Sequence, residues 1–179
     1  TTRQIAARPR GKGGQRDVRI LNASPIETPR ADLPIDPYVL GVWLGDGTTG
    51  KPEITVNDTT KSGIKSEIQS RGWKVEERVY PSDSTEGHGV RLMIGDMGRT
   101  RHPSPFKVRL EELGVLNNKH IPNIYLRASI EQRADLLRGL MDTDGGWNPV
   151  RANECRFTGT DKNMRDQFSE LASSLGLKV

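Results

Sequence analysis

The sequence predicts an α/β chain of the α+β type, built by internal duplication, on three observations. The phrase Val39-Leu40-Gly41-Val42-Trp43-Leu44-Gly45-Asp46-Gly47 returns 98 residues later as Leu137-Arg138-Gly139-Leu140-Met141-Asp142-Thr143-Asp144-Gly145, with Gly41, Asp46 and Gly47 answered by Gly139, Asp144 and Gly145. A second pair, Gln69 to Val75 and Ser173 to Val179, shares a Gly-x-Lys-Val ending at an offset of 104. Short alternating apolar runs stand between helical ones.

Residues 1–33 hold seven Lys or Arg against three acids, which is the whole of the net charge of +4. Rich in Gly, Pro, Arg and Thr and without an apolar period, they read as a basic extended or disordered arm that lies along phosphates, or equally as a solvated linker.

The first repeat covers 34–122. Pro37 suits a first helical turn, the run Tyr38 to Leu44 continues it, and Gly47 is expected to stop it in the left-handed conformation. A strand at 53–57, a helix at 58–71, strands at 73–80 and 89–94 and a helix at 104–113 follow.

The second repeat covers 123–179. Ser129 with Gln132 reads as a capping box, Ala134, Leu136, Leu137, Leu140 and Met141 supply the apolar face, and Gly145 the stop. A strand is expected at 154–160, with Cys155 in its apolar phase as a small core residue. Six extra residues separate motif and next helix. Val179 answers Val75, so counterparts of 76–119 are not in this sequence, and the second repeat is expected to be incomplete.

Gly41 and Gly45 share one helical face, and Gly139 and Thr143 take the equivalent places. Small side chains let two backbones touch, so the two motif helices should pair with Asp46 and Asp144 at the same end. A helix C-terminus already carries about half a negative charge, so two carboxylates there call for a cation. Carboxylate oxygens without His or Cys nearby favour magnesium or calcium.

These paired phrases resemble those of the LAGLIDADG homing endonucleases, particularly the intein-encoded, two-motif monomeric type, over most of the chain from about Leu33. The resemblance implies pseudo-twofold αββαββα repeats forming an antiparallel saddle over DNA, here with its second repeat truncated. It implies a site-specific double-strand endonuclease that hydrolyses phosphodiesters with Mg2+. It implies Asp46 and Asp144 as catalytic metal ligands, with Gly45 and Thr143 beside them. Lys119, in Lys119-His120-Ile121-Pro122, is implied as the basic residue that assists them. Its partners would be double-stranded DNA and an intein splicing domain in the same precursor, with another chain as a source of the missing segment. Folds of this kind also serve as inactive DNA- or RNA-binding modules, or as structural inserts that support splicing.

Strand alternation, weighed with that resemblance, assigns the DNA-facing residues. They are Thr55, Asn57, Lys74, Arg78, Tyr80, Arg91, Arg156 and Thr158, on a face that also carries Glu53, Glu76, Met93 and Glu154, with Arg99 and Arg101 as loop contacts to phosphate. Asp142 has no acidic counterpart in the first copy, where Leu44 stands, and is given no catalytic role. His88, His102 and His120 lack metal-ligand spacing, and Asp142-Thr143-Asp144-Gly145 fails as a calcium loop because Gly146 and Trp147 occupy ligand and turn positions. No apolar run approaches the ~20 residues that cross a membrane, and a cytoplasmic setting is the expectation. The single cysteine excludes an intrachain disulfide.

Overall fold

The computed structural model describes residues 23–78, 89–95, 103–148, 150 and 154–179. Two helices form its centre. The first, α1 (Pro37–Asp46), starts at Asp36, whose carboxylate accepts from the Tyr38 and Val39 N–H groups at 3.0 and 3.3 Å. With its whole run from Pro37 to Leu44 buried, α1 is enclosed on every side. The other, α5 (Ile130–Asp144), carries the expected capping box, the Ser129 hydroxyl accepting from Gln132 N–H and the Gln132 amide oxygen from Ser129 N–H.

The rest of the first half wraps α1. Strands β1 (Glu53–Val56), β2 (Val75–Arg78) and β3 (Val90–Ile94) form an antiparallel sheet in the order β1-β3-β2, and α2 (Asp58–Ser70) links β1 to β2. Helix α3 (Pro105–Glu112), capped by Ser104, and the single turn α4 (Asn123–Leu126) lead to α5. In the second half β4 (Gly145–Trp147) pairs with β5 (Cys155–Phe157), and α6 (Lys162–Ser174) ends the order. The described residues therefore form a mixed α/β structure with antiparallel sheets of three and two strands. Ile54, Val56, Val75, Leu92 and Ile94 turn one face of the larger sheet into the core with Ile64, Ile68 and α1. Each such aliphatic side chain contributes about 1.5–3 kcal/mol on burial.

The duplication persists to individual hydrogen bonds. Asn57 caps α2 by accepting from Thr60 N–H, and Asp161, 104 residues on, caps α6 by accepting from Met164 N–H. Both helices span 13 residues. Both end on a left-handed glycine, Gly72 (φ 83°) and Gly176 (φ 77°). Trp73 N–H returns to the Ile68 carbonyl, and Leu177 N–H to that of Ala172. The Trp73 bond completes the helix end, which is why β2 begins at Val75 rather than at Trp73.

Several expectations need correction. Gly47 and Gly145 follow the central helices in extended conformation (φ −69° and −85°), not left-handed. What demands glycine is close approach: a Cβ on Gly47 would lie 2.7 Å from Trp43 Cδ1, and one on Gly145 2.7 Å from Met141 Cα. Cys155 is exposed rather than in the core, because β4 and β5 form a separate two-stranded ribbon, which Phe157 ties inward by stacking at 4.0 Å on Phe168. The described part of the arm is extended but fixed. Ile26 N–H donates to the Ser174 carbonyl, the Thr28 hydroxyl to that of Ala128, and Ala31 exchanges two bonds with the Gln132 amide. Arg133, 1% exposed, donates to the carbonyls of Ala128, Ser174 and Ile26 and so closes this strap over α5 and α6.

Candidate functional site

The two central helices meet through their small residues. A Cβ on Gly41 would run into the Leu136 carbonyl and stand 3.1 Å from Gly139 Cα; one on Gly139 would stand 2.8 Å from Val42 N. Nearer the carboxylates, a Cβ on Gly45 would lie 2.9 Å from Thr143 Cβ and 3.4 Å from an Asp144 carboxylate oxygen. Asp46 and Asp144, the last residues of the paired helices, are thereby brought together. At the other end the guanidinium groups of Arg71 and Arg138 both approach the Tyr38 ring, at 4.7 and 4.8 Å from its centre. Arg71 binds Asp36 of the first half, Glu67 of α2 and Asp135 of α5, locking the two repeats in register.

Lys119 joins the carboxylates from a third direction. Its loop is clamped on both sides: Asn117, at φ 61°, presses its side-chain oxygen against Gly50, and Ile121 exchanges backbone bonds of 2.8 and 3.3 Å with the Gln167 amide on α6. The ammonium donates to the Gly45 carbonyl at 2.9 Å and lies 5.3 Å from the centre of the Trp43 ring. Half-burial and then the charge of Asp144 push the Asp46 carboxyl above its ordinary range, while Lys119 pulls it back. Burial raises Asp144 likewise, again opposed by Lys119. Burial pushes the Lys119 amine down to about 8 against the pull of both aspartates. Two half-buried acids sharing one cation are under-neutralised, an arrangement that attracts further positive charge.

A divalent cation fits this donor set. The described residues bring together no group of three or more His, Cys, Asp or Glu, so two carboxylates are what the site offers. Magnesium held by one or two carboxylates completes its shell with water and phosphate. The Gly45 carbonyl already accepts from Lys119, and the Thr143 hydroxyl donates back to the Gly139 and Leu140 carbonyls at 3.2 and 3.0 Å. Both residues act here first as spacers that let the aspartates meet. Asp142 lies apart, accepting from the Tyr38 hydroxyl at 2.9 Å.

The expected DNA-facing set is only partly assembled. Cross-strand register puts Thr55, Arg91 and Arg78 in one row across the three strands. On the same face Glu53 and Met93 were expected in the open, yet they are 1% and 3% exposed; Lys51 and Arg91 lie within ion-pair reach of Glu53 and cover it. Asn57 spends its side-chain oxygen on Thr59 and Thr60 as a helix cap. Lys74 is exposed beside β2, and Arg156 leans on Glu154. Thr158 N–H donates to the Asp144 carbonyl at 3.0 Å, which places it beside the carboxylates. Tyr80, Arg99 and Arg101 lie outside the described residues. Two clefts of about 490 and 510 Å³, one under the strap beside Arg109, the other beside α2 and Arg138, lie away from the aspartates. A surface that receives a duplex has no need of an enclosed cavity.

A mixed α/β duplication carrying a carboxylate pair on its seam is the class these features define. No family model matches the chain. The replicative DNA helicase DnaB of Mycobacterium intracellulare is 33% identical over 159 residues, 89% of this chain and 22% of the helicase. The chain thus spans about a fifth of the length of the curated relative it matches. That finding overturns the assignment to the LAGLIDADG homing endonucleases: the relative is named as a helicase, and likeness to a helicase establishes no endonuclease. Among the described residues no helix is long and apolar enough to cross a membrane.

Proposed function

We propose that this chain hydrolyses phosphodiesters of double-stranded DNA at a specific site in a divalent-cation-dependent reaction, with Mg2+ as the ion. The observation that carries the reading is the convergence of Asp46, Asp144 and Lys119 at the shared end of two touching helices. Asp46 and Asp144 would hold divalent ions, one carboxylate from each repeat, each near the scissile phosphate of one strand. A bound divalent ion supplies Lewis acidity at the phosphate and a water of lowered pKa. Lys119 adds fixed positive charge where negative charge builds up, and its half-buried setting strengthens that interaction. The row Thr55, Arg91 and Arg78 supports the choice of DNA: it sets side chains of the kind that hydrogen-bond phosphates and guanine edges side by side on one sheet face.

The match to a replicative DNA helicase supports a second reading, a DNA-binding module that does not cut. In either reading the segment would work within a longer cytoplasmic precursor, beside a splicing domain. The test is to select targets from a random duplex library by gel shift in Ca2+, then supply Mg2+. Cut products from the selected pool support the nuclease. A selected pool that stays intact supports the binding module, and an unselected pool contradicts both.

A further inference from the structure

Resting on the nuclease reading, we infer that Trp43 is a positioning residue of the site, holding the Lys119 ammonium beside the carboxylate pair at the end of the seam. Trp43 is fully buried in α1, three residues before Asp46. Its indole N–H donates to the Lys51 carbonyl at 2.8 Å, which fixes the ring plane. One ring face carries the Lys119 ammonium 5.3 Å from its centre, while the ring edge at Cδ1 sits where a Cβ on Gly47 would come within 2.7 Å. The ammonium is thus set by two elements of the same turn, the Trp43 ring and the Gly45 carbonyl 2.9 Å away.

Attraction of an ammonium to an indole face is strongest among the aromatic side chains and grows with desolvation. A flexible four-carbon stem gains a defined end point from it. In the second repeat the equivalent position is Met141, which makes the same close backbone contact, with Gly145, but offers no ring. The sequence therefore duplicates the carboxylate and the glycine stop without duplicating the aromatic floor, and Lys119 lies over the Trp43 ring.

The test uses the full chain with its lysines reductively methylated with 13C, which keeps one N–H and the charge on each amine. The Lys119 resonance is assigned by its loss in Lys119→Arg. A methyl signal shifted upfield of the other lysines by the ring current is expected, still upfield in Trp43→Phe and returned to the ordinary lysine position in Trp43→Leu. A Lys119 signal at the ordinary position in the parent overturns the inference even if Trp43→Leu does not fold. A signal that stays upfield in folded Trp43→Leu also overturns it. Cleavage of the selected duplex in Mg2+ is the second readout: Trp43→Leu should lower kcat on the order of tenfold or more with KM little changed, since misplacing a charge by about an ångström is costly, and Trp43→Phe should recover most of the loss. A parent with the upfield signal but no cleavage contradicts the nuclease reading and leaves the positioning of Lys119 established.

Discussion

Gly41 and Gly139 face each other so closely that a Cβ on either would stand 3.1 Å from the backbone of the other. The contact brings the two repeats together along one line and sets the separation of Asp46 and Asp144 further along it. Either glycine replaced by alanine must push the helices apart. We predict that Gly41→Ala and Gly139→Ala each cost about 1–3 kcal/mol from overpacking, despite the better helix propensity of alanine. Urea unfolding measures the loss, and a neutral or stabilising result would mean that the seam is looser than described.

The aspartate pair should oppose folding at neutral pH. Both carboxyls sit above their ordinary range in the folded chain, so the folded state binds protons more readily than the unfolded one. Stability is then greatest below the ordinary carboxylate value and falls as pH rises through the folded values. Asp46→Asn and Asp144→Asn should therefore each stabilise the chain by about 0.3–1 kcal/mol at pH 7, the scale of a charge at a helix end. The gain should vanish at pH 3. Thermal melts at the two pH values decide the sign.

Lys119 should act in the opposite pH range. Its amine is pushed down to about 8 from 10.5, so between those values the unfolded chain holds the proton more tightly and stability rises with pH. The slope contributed is at most about 1.4 kcal/mol per pH unit, and it should be absent from Lys119→Met and so appear as the difference between parent and variant. In Mg2+, Lys119→Met should lower cleavage of the selected duplex about 10²–10³-fold while its affinity in Ca2+ stays nearly unchanged.

Magnesium or calcium should raise the melting temperature in proportion to the logarithm of its concentration above Kd, because the ion binds the folded pair alone. The double variant Asp46→Asn, Asp144→Asn should melt at the same temperature with and without the ion. Arg78→Ala and Arg91→Ala should each make the fall of log affinity with log salt shallower by about one.

Arg133 gives a structural prediction. Its guanidinium satisfies three carbonyls from the strap, the turn before α5 and the end of α6. Arg133→Met takes this donor from the Ile26 carbonyl, at about 1–3 kcal/mol, while the Ala128 and Ser174 carbonyls keep the Thr28 hydroxyl and the Ile26 N–H. The strap should then be cut by protease between Ala23 and Ile35 well before global unfolding.

The seam and its carboxylates were legible in the sequence because duplication at fixed offsets of 98 and 104 carries information that no single turn does. The cap at Ser129 was legible for a similar reason, since a hydroxyl three residues before a Gln at the start of an apolar run has few other uses. Gly47 and Gly145 misled because a glycine after a helix has two explanations, left-handed backbone and steric closeness, and only coordinates separate them. The sheet face misled because alternation assigns Glu53 a side and does not disclose that Lys51 and Arg91 cover it. Cys155 was misplaced because alternation presumes a sheet with one buried face, whereas β4 and β5 form a ribbon with both faces largely open. Arg133 and Trp43 carried no signal in the pattern: an arginine on a helix reads as solvated, and a tryptophan in an apolar run reads as core. The family resemblance supplied Lys119, and the fold supplies its clamp through Gln167, which no local motif announces.

The most direct test of the central claim is cleavage of the selected duplex in Mg2+ by the parent and by the folded double variant Asp46→Asn, Asp144→Asn. The account predicts cut DNA from the parent and intact, still-bound DNA from the variant. Cutting by both, or binding without cutting by the parent, would contradict the assignment of Asp46 and Asp144 as the cation-holding pair of a nuclease.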